Sequence, residues 1–323
     1  MRAILDIIVP VFGMMAIGWG LGRSRLLSAE GLRGLTNVTF YVLFPALLFR
    51  SMAKVRIEAL EPSILLVFFG GVMLLFALLL PVGRLLGMAK GDRVVFALSG
   101  TFSNGVGIGI PFITYAFGEA GLVPLLMIIA LHSLIMLTLA SILLEVAGQS
   151  TGRGSGGGRL ITRLGSAILT MLQHPIIPAI FLGLIWSEVT GRVPGLGTPV
   201  VIDQILKALA AAAPPCGLIM AGASLAHVGV KEHWQTAALA SSLKLAVLPL
   251  IVWTIGRYVF PLDPLWLTVA TLNSALPAGA NVYLVAQLYH TGVGLATNVV
   301  VISTGASVFS LSIALLLLGV QAR

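Results

Sequence analysis

Residues 264–322 read PLWLTVATLNSALPAGANVYLVAQLYHTGVGLATNVVVISTGASVFSLSIALLLLGVQA, with no Asp, Glu, Lys or Arg from one end to the other. Tyr289-His290-Thr291-Gly292 is the turn-like interruption, so the stretch reads as two apolar helices joined by a tight turn. Each is near the roughly 20 residues needed to cross a bilayer. The same pattern continues outward through the whole chain. Apolar runs fall at Ile4 to Leu21, Gly34 to Met52, Pro62 to Gly83, Val94 to Phe117, Leu122 to Leu144, Leu164 to Trp186, Ile205 to Ala226, Ala237 to Ile255, Leu265 to Tyr289 and Val293 to Gly319, which makes ten spans. Of the 323 residues 58% are hydrophobic and 9% charged, against roughly 25% charged in soluble domains. A soluble protein is excluded, and the spans leave no room for a large soluble domain.

The net charge of +8 does not indicate nucleic acid, because the charges sit in short loops between apolar runs. There they read as determinants of orientation in the bilayer. Cys216 is the single cysteine, which rules out an internal disulfide framework or a multi-cysteine metal site. The first run contains Asp6 and Pro10 and lacks an Ala-x-Ala-like cleavage site, so it is read as a retained span.

Gly148 to Gly158 is flexible by composition. It lacks the Gly-Lys-Ser/Thr ending of a phosphate loop and reads as a linker. It divides the chain into residues 1–146, a linker over 147–163 and residues 164–323, with five spans on each side. Prolines match across the division at near-constant offset: Pro10 with Pro178, Pro45 with Pro214, Pro81 with Pro249 and Pro111 with Pro277. Duplication accounts for this, and because five is odd the second copy enters the membrane from the opposite side. The fold class is therefore an all-α membrane protein of ten transmembrane helices in two inverted five-helix repeats. Such repeats are characteristic of secondary transporters.

The fourth span carries Ser103-Asn104-Gly105-Val106-Gly107-Ile108-Gly109-Ile110-Pro111 and the ninth carries Asn273-Ser274-Ala275-Leu276-Pro277-Ala278-Gly279-Ala280-Asn281. Small polar residues, Gly and Pro at mid-membrane depth point to broken, crossing helices 4 and 9, tolerable only where protein or a watery cavity satisfies the backbone. Half-helix N-termini and side-chain amides would then face one shared site. The competing reading is that the glycines are packing contacts of ordinary membrane helices.

With these segments in view, a family resemblance emerges. Asn37 through Lys54 is similar to the second helix of the auxin efflux carrier family, and Asn104 to Pro111 and Leu276 to Tyr283 resemble that family's fourth- and ninth-helix breaks. The resemblance extends over all ten spans. It implies a carrier related to the bile acid symporter fold, with a scaffold and a transport domain that move relative to each other, small organic anions as substrates, and a homodimer. The short central loop fits a bacterial-type carrier, with carboxylates such as malate or malonate, or auxin-like acids, as substrates. Carried over residue by residue, Asn104 and Asn281 become substrate-site amides, with Pro111 and Pro277 marking the breaks and Ser103, Gly105, Asn273 and Ser274 as neighbours.

Lys244 lies inside the eighth span, where a lone ammonium costs on the order of 3 kcal/mol by insertion scales. It either faces the bundle interior, as a partner for a carboxylate, or snorkels. His132, within the fifth span, is either a proton relay or a hydrogen-bonded structural residue. Pro45 and the pair Pro214-Pro215 are expected to bend their helices, Cys216 to pack as a small apolar residue, and Asp6 and Asp203 to act as partners of helix dipoles. No cofactor motif is present, and proton or sodium coupling stays open. A passive anion channel and an intramembrane enzyme are the alternative classes, but the spans contain no Ser-His-Asp, paired-Asp or His-Glu-x-x-His arrangement.

Basic residues number ten on the linker side (Arg23, Arg25, Arg33, Arg84, Lys90, Arg93, Arg153, Arg159, Arg163, Lys231) and eight on the other. That small bias favours a cytoplasmic linker, and the even span count then puts both termini on the extracytoplasmic side; for a bacterial-type carrier, as the resemblance implies, the membrane is the inner one. A reporter active only in the cytoplasm is expected to be silent when fused at Arg323, and activity there would invert the topology.

Overall fold

The computed structural model describes residues 4–24, 26–148, 175–193, 196–226 and 234–320. Most of the glycine-rich linker, the start of the sixth span, and Arg25, Arg153, Arg159, Arg163 and Lys231 lie outside them. Among the described residues every regular element is a helix, and seven helices are long and apolar enough to cross a membrane. These are α1 (Asp6–Arg23), α2 (Ala29–Met52), α3 (Ser63–Leu85), α6 (Glu119–Val146), α8 (Val200–Leu225), α9 (Trp234–Val259) and α12 (Val293–Leu317). Shorter helices fall between them: α4 (Lys90–Ser99), α5 (Gly105–Phe117), α7 (Ile176–Arg192), α10 (Pro264–Ala275) and α11 (Asn281–Leu288). The fourth and ninth apolar runs are thus each divided into two helices, α4 with α5 and α10 with α11.

Four prolines share one local device. Pro10, Pro45, Pro111 and Pro249 each sit two residues beyond a widened turn, Ile4–Ile8, Thr39–Leu43, Gly105–Gly109 and Leu243–Val247. A proline has no N–H to give the carbonyl four residues earlier, and its ring crowds that carbonyl. Widening the turn lets the chain bond five residues back, as Phe44 N–H does to Thr39 O and Ile110 N–H to Gly105 O. By contrast, Pro214 and Pro215 lie within the continuous helix α8.

Packing follows two apolar clusters. In the first, α1, α2, α7 and α8 pack on one another through residues such as Val11, Phe44, Leu48, Ile180 and Leu218. The second joins α3, α4, α9, α11 and much of α12 through Phe68, Phe96, Leu248, Val282 and Val299. The fourth run passes from the second cluster, which holds α4, to the first, which holds α5; the ninth draws on both, with Ala270 of α10 in the second, Leu272 and Ala275 in the first, and α11 in the second. Helix α6 belongs to both, with Leu122 and Leu126 in the first cluster and Met136 and Leu144 in the second.

Helices α1 and α8 touch backbone to backbone. A Cβ at Gly18 would lie 2.0 Å from Ile219 O, and one at Gly222 would lie 1.9 Å from Met15 O. Lipid supplies no hydrophobic drive between helices, so close approach through small residues is what holds such a pair. Gly18→Ala is expected to cost about 1–3 kcal/mol through forced separation, seen as a lower melting temperature in detergent. Gly13→Ala, on the same helix with nothing within 4 Å, should leave the melting temperature unchanged; equal effects would refute the contact.

Candidate functional site

The two interruptions meet. Ser103 and Ala278 form an antiparallel bridge, Asn104 N–H donates to Pro277 O at 2.9 Å and Gly279 N–H donates to Phe102 O at 3.2 Å. Backbone groups that each divided run cannot satisfy within itself are thereby paired across to the other, as burial in an apolar medium requires.

Side chains from neighbouring helices supply the remaining partners. Ser303 Oγ, on α12, accepts from Ala278 N–H at 3.0 Å, and His132 Nε2, on α6, accepts from Ser103 N–H at 3.1 Å. Lys244 Nζ, on α9, donates to Ser103 Oγ at 2.9 Å, to Ser274 O at 2.5 Å and to Leu276 O at 2.8 Å. The lysine is fully buried, and its three donors meet three oxygens. It also places its amine at the C-terminal end of α10, where the unpaired carbonyls of a helix carry partial negative charge. Lys244 therefore faces the interior and does not snorkel.

Helices α5 and α11 both begin at this junction. Asn104 is the N-cap of α5, its Oδ1 accepting from Gly107 N–H at 3.0 Å, and Asn281 opens α11. Above them lies a cavity of about 1650 Å3 lined by Ser103, Asn104, Gly105, Gly107, Gly279 and Asn281 among others. Of the residues named from sequence, Ser103, Asn104, Gly105 and Asn281 line it, while Lys244, Asn273, Ser274, Pro111 and Pro277 do not. Asn273 is buried with Oδ1 unbonded, close against the Gly105 backbone. His132 also reaches the cavity, stacked against Phe102 at 4.5 Å between ring centroids, with Nε2 committed to the Ser103 N–H and Nδ1 without a bond.

The cavity runs toward the end of the bundle where α6 finishes and α7 starts, past Ser141, Glu145, Ile176, Gln287 and His290. Among the described residues no Lys or Arg lines it, and none between 109 and 128 does. Apolar side chains, including Met15, Phe40, Ile108 and Met220, form most of its wall. Sequence reasoning singled out neither Ser303 nor the wall residues from α2 and α8. Ser303-Thr304 stands as a small polar pair within an apolar run, and that was its available signal.

At the other end of the bundle Asp203, in the first turn of α8, accepts from Arg50 Nε at 3.0 Å. It is thus an ion-pair partner as well as an acidic residue at a helix start.

Known proteins resemble this chain along most of its length. The "Putative malonate transporter" of Rhizobium meliloti (strain 1021) is 25% identical over 310 residues, covering 95% of this chain and 93% of that protein. The "Uncharacterized transporter" of Methanothermobacter thermautotrophicus is 23% identical over 316 residues, 95% of each. The "Lysosomal cholesterol signaling protein" of Mus musculus is 24% identical over 256 residues, 76% of this chain and 29% of that protein. The family model described as "Membrane transport protein" matches residues 3–315, and with its apolar spans and paired helix interruptions the chain belongs to that family, the family of the auxin efflux carriers.

Proposed function

We propose that the protein is a secondary carrier of small organic anions that works by alternating access, with one substrate site where α5 and α11 begin. The observation that carries this reading is the junction itself: two helix N-termini and two asparagines converge on one cavity. Helix N-termini present unpaired N–H groups and positive potential, which suits a carboxylate where no lysine or arginine is at hand. Asn104 uses its Oδ1 for the cap, which leaves its amide N–H groups for a ligand.

On this reading residues 1–146 and 164–323 are two inverted repeats of five spans, joined by a cytoplasmic linker, and α4/α5 crosses α10/α11 at mid-membrane. The passage of α4/α5 from one apolar cluster to the other and the backbone pairing of the two interruptions support the crossing. Helices α1, α2, α7 and α8 correspond to a scaffold, and the remainder carries the site. The protein resides in the inner membrane as a homodimer, with the cavity mouth toward the cytoplasm. Carboxylates such as malonate or malate, or auxin-like acids, form the substrate class, and the relative named for malonate makes malonate the first acid to test. The cavity ends midway through the bundle, which favours a carrier over an open channel.

A thermal-shift screen of organic acids, followed by saturable uptake into proteoliposomes, tests the function directly. Asn281→Ala should weaken affinity for the best acid by roughly ten- to a hundredfold, through loss of a charge-assisted hydrogen bond of about 1.5–3 kcal/mol. Asn104→Asp keeps the cap oxygen but opposes the substrate with a like charge, so it should abolish uptake while preserving the fold. Wild-type affinity in both variants would sink the site.

Lys244→Met should act on stability. It removes the donor to Ser103 Oγ, Ser274 O and Leu276 O, and each buried acceptor left unpaired costs about 1–3 kcal/mol. The melting temperature should fall well below that of Asn281→Ala. An unchanged melting temperature with reduced affinity would instead assign the lysine to the substrate.

A further inference from the structure

Opposite the cavity mouth, four charged side chains from three helices gather. Arg50 closes α2, with Lys54 just beyond it; Glu119 opens α6; Asp203 lies in the first turn of α8. Arg50 Nη1 pairs with Glu119 Oε1, Arg50 Nε with Asp203 Oδ1 at 3.0 Å, and Lys54 Nζ with Glu119 Oε2 at 2.7 Å.

The four partners are not equivalent. Arg50, Lys54 and Asp203 belong to, or adjoin, α2 and α8, which pack together with α1 and α7. The Asp203 contact holds Nε of the Arg50 guanidinium, and Nη1 is left for Glu119. Glu119 comes from α6, which packs in both clusters. It follows Gly118, whose φ of 63° lets α5 turn directly into α6, so its carboxylate is tied to the end of the helix that starts at Asn104. Each of its two oxygens meets a different cation.

We infer that Arg50, Lys54 and Asp203 form a latch for Glu119, which holds the protein closed on the face opposite the cavity mouth and releases when that face opens. This inference rests on the alternating-access reading above. The chemistry suits a latch. Glu119 is 44% exposed and Lys54 52%, so the pairs are within reach of water and salt. Exposed pairs are individually weak. They can therefore bias two conformations without locking either.

The test uses purified full-length protein in nanodiscs, in a Cys216→Ser background, with one introduced cysteine at a time. Ser141→Cys reports on the mouth, since Ser141 lines the cavity. Ala116→Cys reports on the closed face, since Ala116 lies one turn before Glu119 and is 4% exposed. Glu119→Gln should raise maleimide labelling at position 116 about three- to tenfold and lower labelling at 141, the shift expected from losing two weak ion pairs. Lys54→Gln removes one of Glu119's two partners and should give an intermediate rise. Raising ionic strength should move the unsubstituted latch in the same direction.

Labelling at 116 that responds to a transported acid but not to Glu119→Gln, Lys54→Gln or salt would overturn the latch and leave the carrier reading standing. Labelling at 116 that nothing alters, including the acid, would overturn both.

Discussion

A polypeptide interrupted at mid-membrane must satisfy its freed N–H and C=O groups without water, and the rest of this architecture follows from how that is done. Each interruption is completed by the other: Asn104 N–H reaches Pro277 O, and Gly279 N–H reaches Phe102 O. Neither run could be broken alone. Ser303 and His132 take up the N–H groups that the reciprocal pairing leaves, and Lys244 takes up the carbonyls at the end of α10. Three further helices, α6, α9 and α12, are thereby committed to the junction. A buried lysine, costly in hydrocarbon by itself, becomes tolerable because it replaces the donors that water would have offered.

The same solution shapes the candidate site. Completing the C-terminal side of the interruption from behind leaves the N-terminal sides of α5 and α11 facing forward into the cavity. The junction is thus polarised: the amine of Lys244 sits with carbonyl ends at the back, and N–H ends with Asn104 and Asn281 stand at the front. On the proposed carrier reading, an anion at the front would meet dipoles held in place by the fold, with little rearrangement needed on binding. At the far end of the bundle the ion pairs around Arg50 join helices of the first cluster to the first residue of α6. The cavity mouth and the ion pairs lie at opposite ends of the bundle.

Much of this was legible from the chain because the bilayer imposes length and composition. Uncharged runs such as 264–322 announce spans, and Asn-Gly-x-Gly-x-Gly-x-Pro in one run and Leu-Pro-Ala-Gly-Ala-Asn in another announce interruptions, since neither text suits an ordinary helix interior. Their partners were less visible. Lys244 read as an anomaly in the eighth span, but linear sequence does not tell whether an intramembrane ammonium faces a carboxylate, the headgroups or a broken helix. The difference lies in the position of α9 relative to α10, which is a matter of tertiary packing. Likewise Asp203 read as a dipole partner because its nearest neighbours in sequence are its own helix, while Arg50 lies 153 residues away. Asn104 was legible as part of an interruption, but its N-cap role depends on where α5 starts, and the sequence Gly105 to Gly109 leaves that point open by several residues.

The reciprocal pairing of the two interruptions is written in main-chain atoms, and every amino acid other than proline carries the same pair. What the sequence must supply there is chiefly absence of bulk, so that two backbones can approach, and a turn that leaves the right groups facing outward. Such a feature places light demands on spelling. It suits a lineage in which proteins about a quarter identical align over nearly their whole lengths, because main-chain groups are what a side-chain substitution leaves in place.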